Sequence, residues 1–233
     1  MQCVQGTAMQ SIAVLFMFGV LLGGVPAHGQ PRAEPLDTRL LRGVYGSDSR
    51  VLRATMQAAD ASAFPVFYAA PVAAWGGAAL LRDTGDFTNA YRLTVTAAAT
   101  YGAVVGLKVL IQRPRPYRTV PGVTARKANY RAGGAEYGSF AMPSGHAALS
   151  FALASSWSLS HPRWYVIAPG AAWAASVALS RVWLGVHYPS DILVGALLGT
   201  GIGVGVHLLA PLITPGFLEP EARTRAAPPM LQL

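Results

Sequence analysis

The chain has 233 residues, 52% of them hydrophobic and only 12% charged, about half the charge of an average soluble domain. One domain fits that length, and the single cysteine, Cys3, excludes an intrachain disulfide and a thiol-rich metal site. The net charge of +8 points to an anionic partner. The cations form no recognition helix or aromatic-basic groove, which argues against nucleic acid and leaves a phosphorylated substrate or an anionic lipid headgroup.

Residues 11–25 (SIAVLFMFGVLLGGV) are a short apolar run, with small residues at Val25 and Ala27. They fit a secretory signal over residues 1–29. No Lys or Arg precedes the run, so an uncleaved first membrane helix is the competing reading. Residues 30–61 are polar and charged, with apolar positions at Leu36, Leu40, Leu41, Val44, Val51, Leu52 and Met56. That spacing predicts amphipathic helices lying at the outer membrane surface as an extracytoplasmic arm; a loosely structured arm is the alternative.

Residues 62–81 carry no charge, over the roughly 20 positions needed to cross a hydrocarbon core. Residues 93–111 form a second span, charged only at Lys108 near its exit. A polar loop, 112–142, is rich in Arg, Gly and Pro. A helix starts at Ser144 and runs to about Ser160, where His161-Pro162-Arg163 makes a turn. Residues 164–179 and 192–213 are the remaining uncharged spans, and the tail 214–233 reads as disordered from Glu219 onward. The expected fold is all-α: a polytopic membrane bundle of five spans plus a signal peptide or sixth span, its membrane domain at 62–213. Gly195, Gly199 and Gly203 lie four apart in the last span, where small residues let helices approach closely. Packing within the bundle is their principal expected use, and a homodimer contact the lesser one.

Three polar clusters interrupt this apolar pattern: Lys108-x6-Arg115-Pro116, Pro143-Ser144-Gly145-His146, and Ser180-Arg181-x5-His187-x3-Asp191. Counting spans from residue 62 puts all three on one face, which also holds most of the positive charge and would attract phosphorylated substrates. Lys108, Arg115 and Arg181 supply fixed cations for phosphoryl oxygens. Ser144 and Gly145 add backbone N–H groups at a helix start. Of two histidines, one can attack phosphorus while the other protonates the leaving alcohol. Asp191, four residues after His187, is placed to fix that ring's tautomer, which makes His187 the better nucleophile candidate and leaves His146 as the general acid. This set suits transfer of a phosphoryl group to a histidine, with no metal required.

Taken singly, each cluster has an ordinary explanation: Lys108 as a snorkelling side chain, Ser144 as an N-cap, Arg181 as an interfacial anchor. Their joint order resembles the three-part signature of the type 2 phosphatidic acid phosphatase (PAP2) superfamily, which spans membrane lipid phosphatases, class A acid phosphatases and vanadium haloperoxidases. Every position of that pattern is matched, and the matching core covers about residues 62–213. The resemblance implies phosphate binding by Lys108, Arg115, Ser144, Gly145 and Arg181, acid catalysis by His146, a nucleophile pair in His187 and Asp191, no cofactor, and a phosphohistidine intermediate.

The leading expectation is a membrane phosphatase acting on a lipid phosphate or diphosphate, in a bacterial-type inner membrane with the site facing the periplasm. A soluble class A-type acid phosphatase, a vanadium-dependent haloperoxidase and a non-catalytic membrane scaffold are the alternatives. The positive-inside tendency would turn the basic face to the cytoplasm instead. Arg113, Arg118, Arg126, Lys127 and Arg131 read as a solvated or headgroup-facing surface, and Trp183 and Tyr188 as residues bordering the pocket.

Overall fold

The computed structural model describes residues 34–81, 84–127, 130 and 139–218; the readings of residues 1–29 and of the tail past Leu218 lie outside them. The described residues from Pro35 onward belong to one compact unit. The elements are α1 (Leu36–Gly46), α2 (Arg50–Leu81), α3 (Thr84–Ile111), the single turn α4 (Pro116–Thr119), α5 (Gly145–Ser160), α6 (Trp164–Trp183) and α7 (Pro189–Ile213), then a 3-10 turn at Gly216–Leu218.

Four of these helices, α2, α3, α6 and α7, are long and apolar enough to cross a membrane. Their outward residues are large and apolar, with Leu80 85% and Leu212 82% exposed. Such a surface suits hydrocarbon and would be costly in water, which makes this a membrane protein. The fifth expected span, α5, differs. Its 16 residues reach only about 24 Å, short of the roughly 30 Å hydrocarbon core, and it packs against α2, α3, α6 and α7. It is the central helix of the bundle.

The seam between α5 and α7 explains the glycine spacing. A Cβ added at Gly195 would lie 2.6 Å from the Ser144 carbonyl, one at Gly199 would collide with the Ala148 carbonyl, and one at Gly203 with Ser155 Oγ. The stripe is taken up inside the chain, as the bundle-packing expectation had it. The interleaved Gly201 and Gly205 have nothing near them.

The arm also differs from expectation. Ser49 Oγ accepts the Leu52 N–H at 3.1 Å and starts α2, which then continues unbroken through Pro65 and Pro71 into the membrane segment. Polar positions before residue 62 are therefore the end of a span. Leu41 of α1 is fully buried with Val120, Val123, Val182 and Tyr188, while Leu36 and Leu40 on the other side of α1 are exposed. At the opposite end of the chain, the Leu218 carbonyl accepts Thr88 Oγ1–H at 2.8 Å, so packing persists past residue 214.

Candidate active site

Local chemistry brings the three clusters together. Beyond α3 the chain crosses to the loop before α5, where Pro114 and Phe140 pair antiparallel and Ala141 N–H donates to the Arg113 carbonyl at 2.7 Å. Lys108 Nζ donates to the Phe140 carbonyl at 2.6 Å. These bonds lay the first cluster beside the second. Ser144 caps α5 through the Ala147 N–H at 3.5 Å, and its own N–H donates to the Asp191 carbonyl at 3.0 Å, which fixes the second cluster to the third. Between Arg181 and His187 the chain must turn within a few residues. Gly185 does this at φ +72°, with Thr124, Tyr45 and Val123 each 3.0 Å from where a Cβ would sit; only glycine fits both the backbone and the space.

A cavity of about 270 Å³ opens between these segments. Lys108, Arg115, Gly145, His146 and His187 line its polar side, and Phe64, Phe67, Tyr101, Val104, Val105 and Leu149 its apolar side. Arg115 Nη1 donates to the Val186 carbonyl at 3.0 Å and lies 3.2 Å from His187 Nε2. A guanidinium cannot accept a proton, so this contact selects the tautomer with a lone pair on Nε2. Burial first, then the charge of Arg115, holds the His187 imidazole well below its ordinary pKa, and the ring is neutral at pH 7. The Arg115 guanidinium is likewise held below its usual value, chiefly by burial. The His146 ring sits edge-on to Phe64 and Phe67, with centroids 5.0 and 5.8 Å away, and its Nε2 is buried without a hydrogen-bond partner among the described residues.

Three expected residues stand behind this wall instead of in it. Ser144, Arg181 and Asp191 are fully buried and do not line the cavity. Arg181 is paired with Asp60 of α2 through Nη1, and its Nη2 donates to Tyr130 Oη at 2.6 Å. Tyr130 does line the cavity. The His187–Asp191 pair is also looser than four-residue spacing suggested. Nδ1 and Oδ2 are 3.5 Å apart, too long for a strong hydrogen bond. Asp191 instead accepts the Tyr188 N–H on Oδ2 at 2.7 Å and Arg113 Nη1 on Oδ1 at 2.7 Å.

Several loop cations read as solvated are structural. Arg113 holds Asp191 and Asp37, Lys127 pairs with Asp60 at 2.6 Å, and Arg126 stacks between Tyr45 and Trp183, 4.3 Å from each ring. Arg118 remains exposed at the cavity mouth, and Arg131 lies outside the described residues. Trp183 and Tyr188 do not reach the cavity either. Trp183 Nε1 donates to the Ser47 carbonyl at 3.2 Å, and Tyr188 Oη meets Thr119 Oγ1 at 2.8 Å.

Comparison with known proteins gives the family and the fold. The model of the PAP2 superfamily matches residues 89–214, more than half of the chain. The crystal structure of Aquifex aeolicus LpxE superposes with a TM-score of 0.57 at 20% identity, covering 75% of this chain and 96% of that one. That of the first transmembrane PAP2 type phosphatidylglycerolphosphate phosphatase from Bacillus subtilis gives 0.56 at 21% identity, covering 76% and 86%. At those identities the likeness establishes the fold. A search of the curated proteins finds no match.

Proposed function

This chain belongs to the PAP2 superfamily of phosphatases, and from that premise we propose that it hydrolyses a lipid phosphate or diphosphate monoester through a phosphohistidine on His187. The observation that carries the reading is the single cavity onto which Lys108, Arg115, His146 and His187 converge beside an apolar wall. The polar side suits a phosphoryl group, and the apolar side suits the first part of a hydrocarbon tail.

In the first half-reaction the His187 Nε2 lone pair forms a bond to phosphorus while the bond to the leaving oxygen breaks. His146, charged once the anionic phosphoryl group lies beside it, gives that oxygen its proton. Lys108, Arg115 and the Gly145 backbone N–H bind the remaining phosphoryl oxygens, where charge is carried in the transition state. Arg181 supports them from behind through Tyr130. In the second half-reaction His146 takes a proton from water, whose oxygen attacks phosphorus and releases phosphate and neutral His187. The neutral state and tautomer of His187 are those the first step needs.

The test uses purified protein in detergent micelles with a chelator present. Phosphate release is followed from phosphatidate, phosphatidylglycerophosphate, an isoprenoid diphosphate and a lipid A phosphate. Release from at least one is expected, and His187→Ala should lower it by more than about 10⁴-fold. Retention of activity within about tenfold of wild type by that variant would end the phosphohistidine mechanism. We place the active face outside the cytoplasm in a bacterial-type inner membrane. Protease added to intact spheroplasts should then cut the 112–142 loop, and complete protection of the loop would reverse the orientation.

A further inference from the structure

The carboxylate behind His187 has partners that the steps above do not use. Asp191 Oδ1 accepts from Arg113 Nη1 at 2.7 Å, and the same Nη1 donates to Ser190 Oγ at 2.6 Å. Arg113 Nη2 donates to Asp37 Oδ2 at 2.6 Å, and its guanidinium lies 4.0 Å from the centre of the Tyr188 ring. Asp37 closes the cluster by accepting the Ser190 N–H at 2.9 Å and the Ser190 Oγ–H at 2.5 Å. One guanidinium and two carboxylates thus join α1, the loop after α3 and the first turn of α7. Asp37 caps that turn across 153 residues of sequence.

We propose that Arg113, oriented by Asp37, is a positioning residue for the reaction: it fixes the Asp191 carboxylate and draws its charge away from His187, which keeps the Nε2 lone pair available for attack. This rests on the roles given to His187 and Asp191 above. A carboxylate 3.5 Å from Nδ1 with no competing cation would favour the imidazolium, which has no lone pair on Nε2. Arg113 supplies the competing cation in direct contact. The other charged or titratable groups facing His187 are Lys108 at the end of α3, Arg115 in the loop, Arg181 on α6 and His146 on α5. Among the described residues Asp60 is turned to Arg181 and Lys127, and Asp191 is the carboxylate next to His187 itself, so its charge is where the protonation of His187 can be adjusted.

Arginine is required by geometry. Its planar fork reaches Asp191, Ser190 and Asp37 together, whereas a lysine supplies one compact charge. Burial opposes the Arg113 charge, but Asp191 and Asp37 more than offset it, and the guanidinium is held above its usual value.

The test is a pH profile on the full chain in detergent micelles. Two readouts are taken: kcat/KM for phosphate release from phosphatidate, and the titration midpoint of the His187 ring by NMR. In wild type both place His187 protonation below about pH 6.5, the ordinary histidine value. Arg113→Gln should move the acid limb and the midpoint up by about one pH unit and lower kcat about tenfold. In an Asp191→Asn background the same substitution should move neither. Arg113→Lys should return the midpoint toward wild type while leaving most of the kcat loss.

Loss of rate and thermal stability in Arg113→Gln and Arg113→Lys alike, with the midpoint unmoved, overturns the proposal. The NMR midpoint needs no turnover. A wild-type protein that releases no phosphate yet shows the Arg113→Gln shift therefore overturns the substrate reading and upholds this one. Where Arg113→Gln fails to fold, Asp37→Asn carries the test. It should lower kcat about tenfold with KM unchanged, and an unchanged kcat overturns the proposal.

Discussion

Two interfaces of the bundle meet at Ser144, and they are held by opposite means. Along the seam of α5 and α7, glycines and alanines bring the backbones into contact, with Ala147, Ala148 and Ala152 fully buried. At the active end the contacts are ionic: Asp60 with Arg181 and Lys127, Asp37 and Asp191 with Arg113. The first interface has no room for an added atom. The second depends on every charge keeping its partner. A seam of small residues should therefore fail by addition, and a floor of ion pairs by deletion.

The deletion side gives the largest expected effect on stability. Asp60→Ala leaves the fully buried Arg181 with Tyr130 as its remaining hydrogen-bond partner among the described residues. An orphaned buried charge costs about 3–5 kcal/mol, which would appear as a lower thermal midpoint in detergent together with reduced phosphate release. A loss under about 1 kcal/mol, the range of an exposed pair, would remove the distinction between the two interfaces. Arg53→Ala supplies that reference, because its pair with Asp48 is about half exposed on both sides.

The addition side comes next. Gly199→Ala puts a methyl group against the Ala148 backbone carbonyl, and backbone cannot swing aside as a flexible side chain would. The helices must separate, at about 1–3 kcal/mol. Thermal unfolding of the purified variant measures this, and a neutral result would mean the seam is looser than its contacts show. Ser144→Ala tests the point where the interfaces meet. It removes an N-cap whose bond to Ala147 N–H is long at 3.5 Å, so the low part of the usual range applies, about 0.5–1 kcal/mol.

The same division explains what could be read from the sequence. The seam was legible because glycines four apart share one helix face, and the cavity-lining Lys108, Arg115, Gly145 and both histidines were legible because their clusters fall at span ends. The ionic floor was not. Asp60 and Arg181 are 121 residues apart, Asp37 and Ser190 are 153 apart, and no periodicity links such pairs. Asp37 and Asp60 also lie on stretches whose other polar residues face solvent, where an aspartate reads as surface. The available signal was weaker: an acidic residue on a helix that continues into an uncharged span is costly there unless it is paired. Arg113 escaped for a related reason. Among five loop cations its position shows nothing special, and only the fold reveals which of them meets a carboxylate.

The smallest prediction separates the glycines from each other and is the sharpest check on the seam. Gly201 lies on the same helix, two residues from Gly199 and Gly203, yet a Cβ there meets nothing within 4 Å. Alanine costs a helix less backbone entropy than glycine, by about 0.5–1 kcal/mol. Gly201→Ala should therefore raise the thermal midpoint slightly, while the same methyl at Gly199 lowers it. Opposite signs from identical substitutions two positions apart follow only if α7 presents one face to α5 and the other away from it. If both variants were destabilised alike, α7 would need a partner on its second face, such as another copy of the chain.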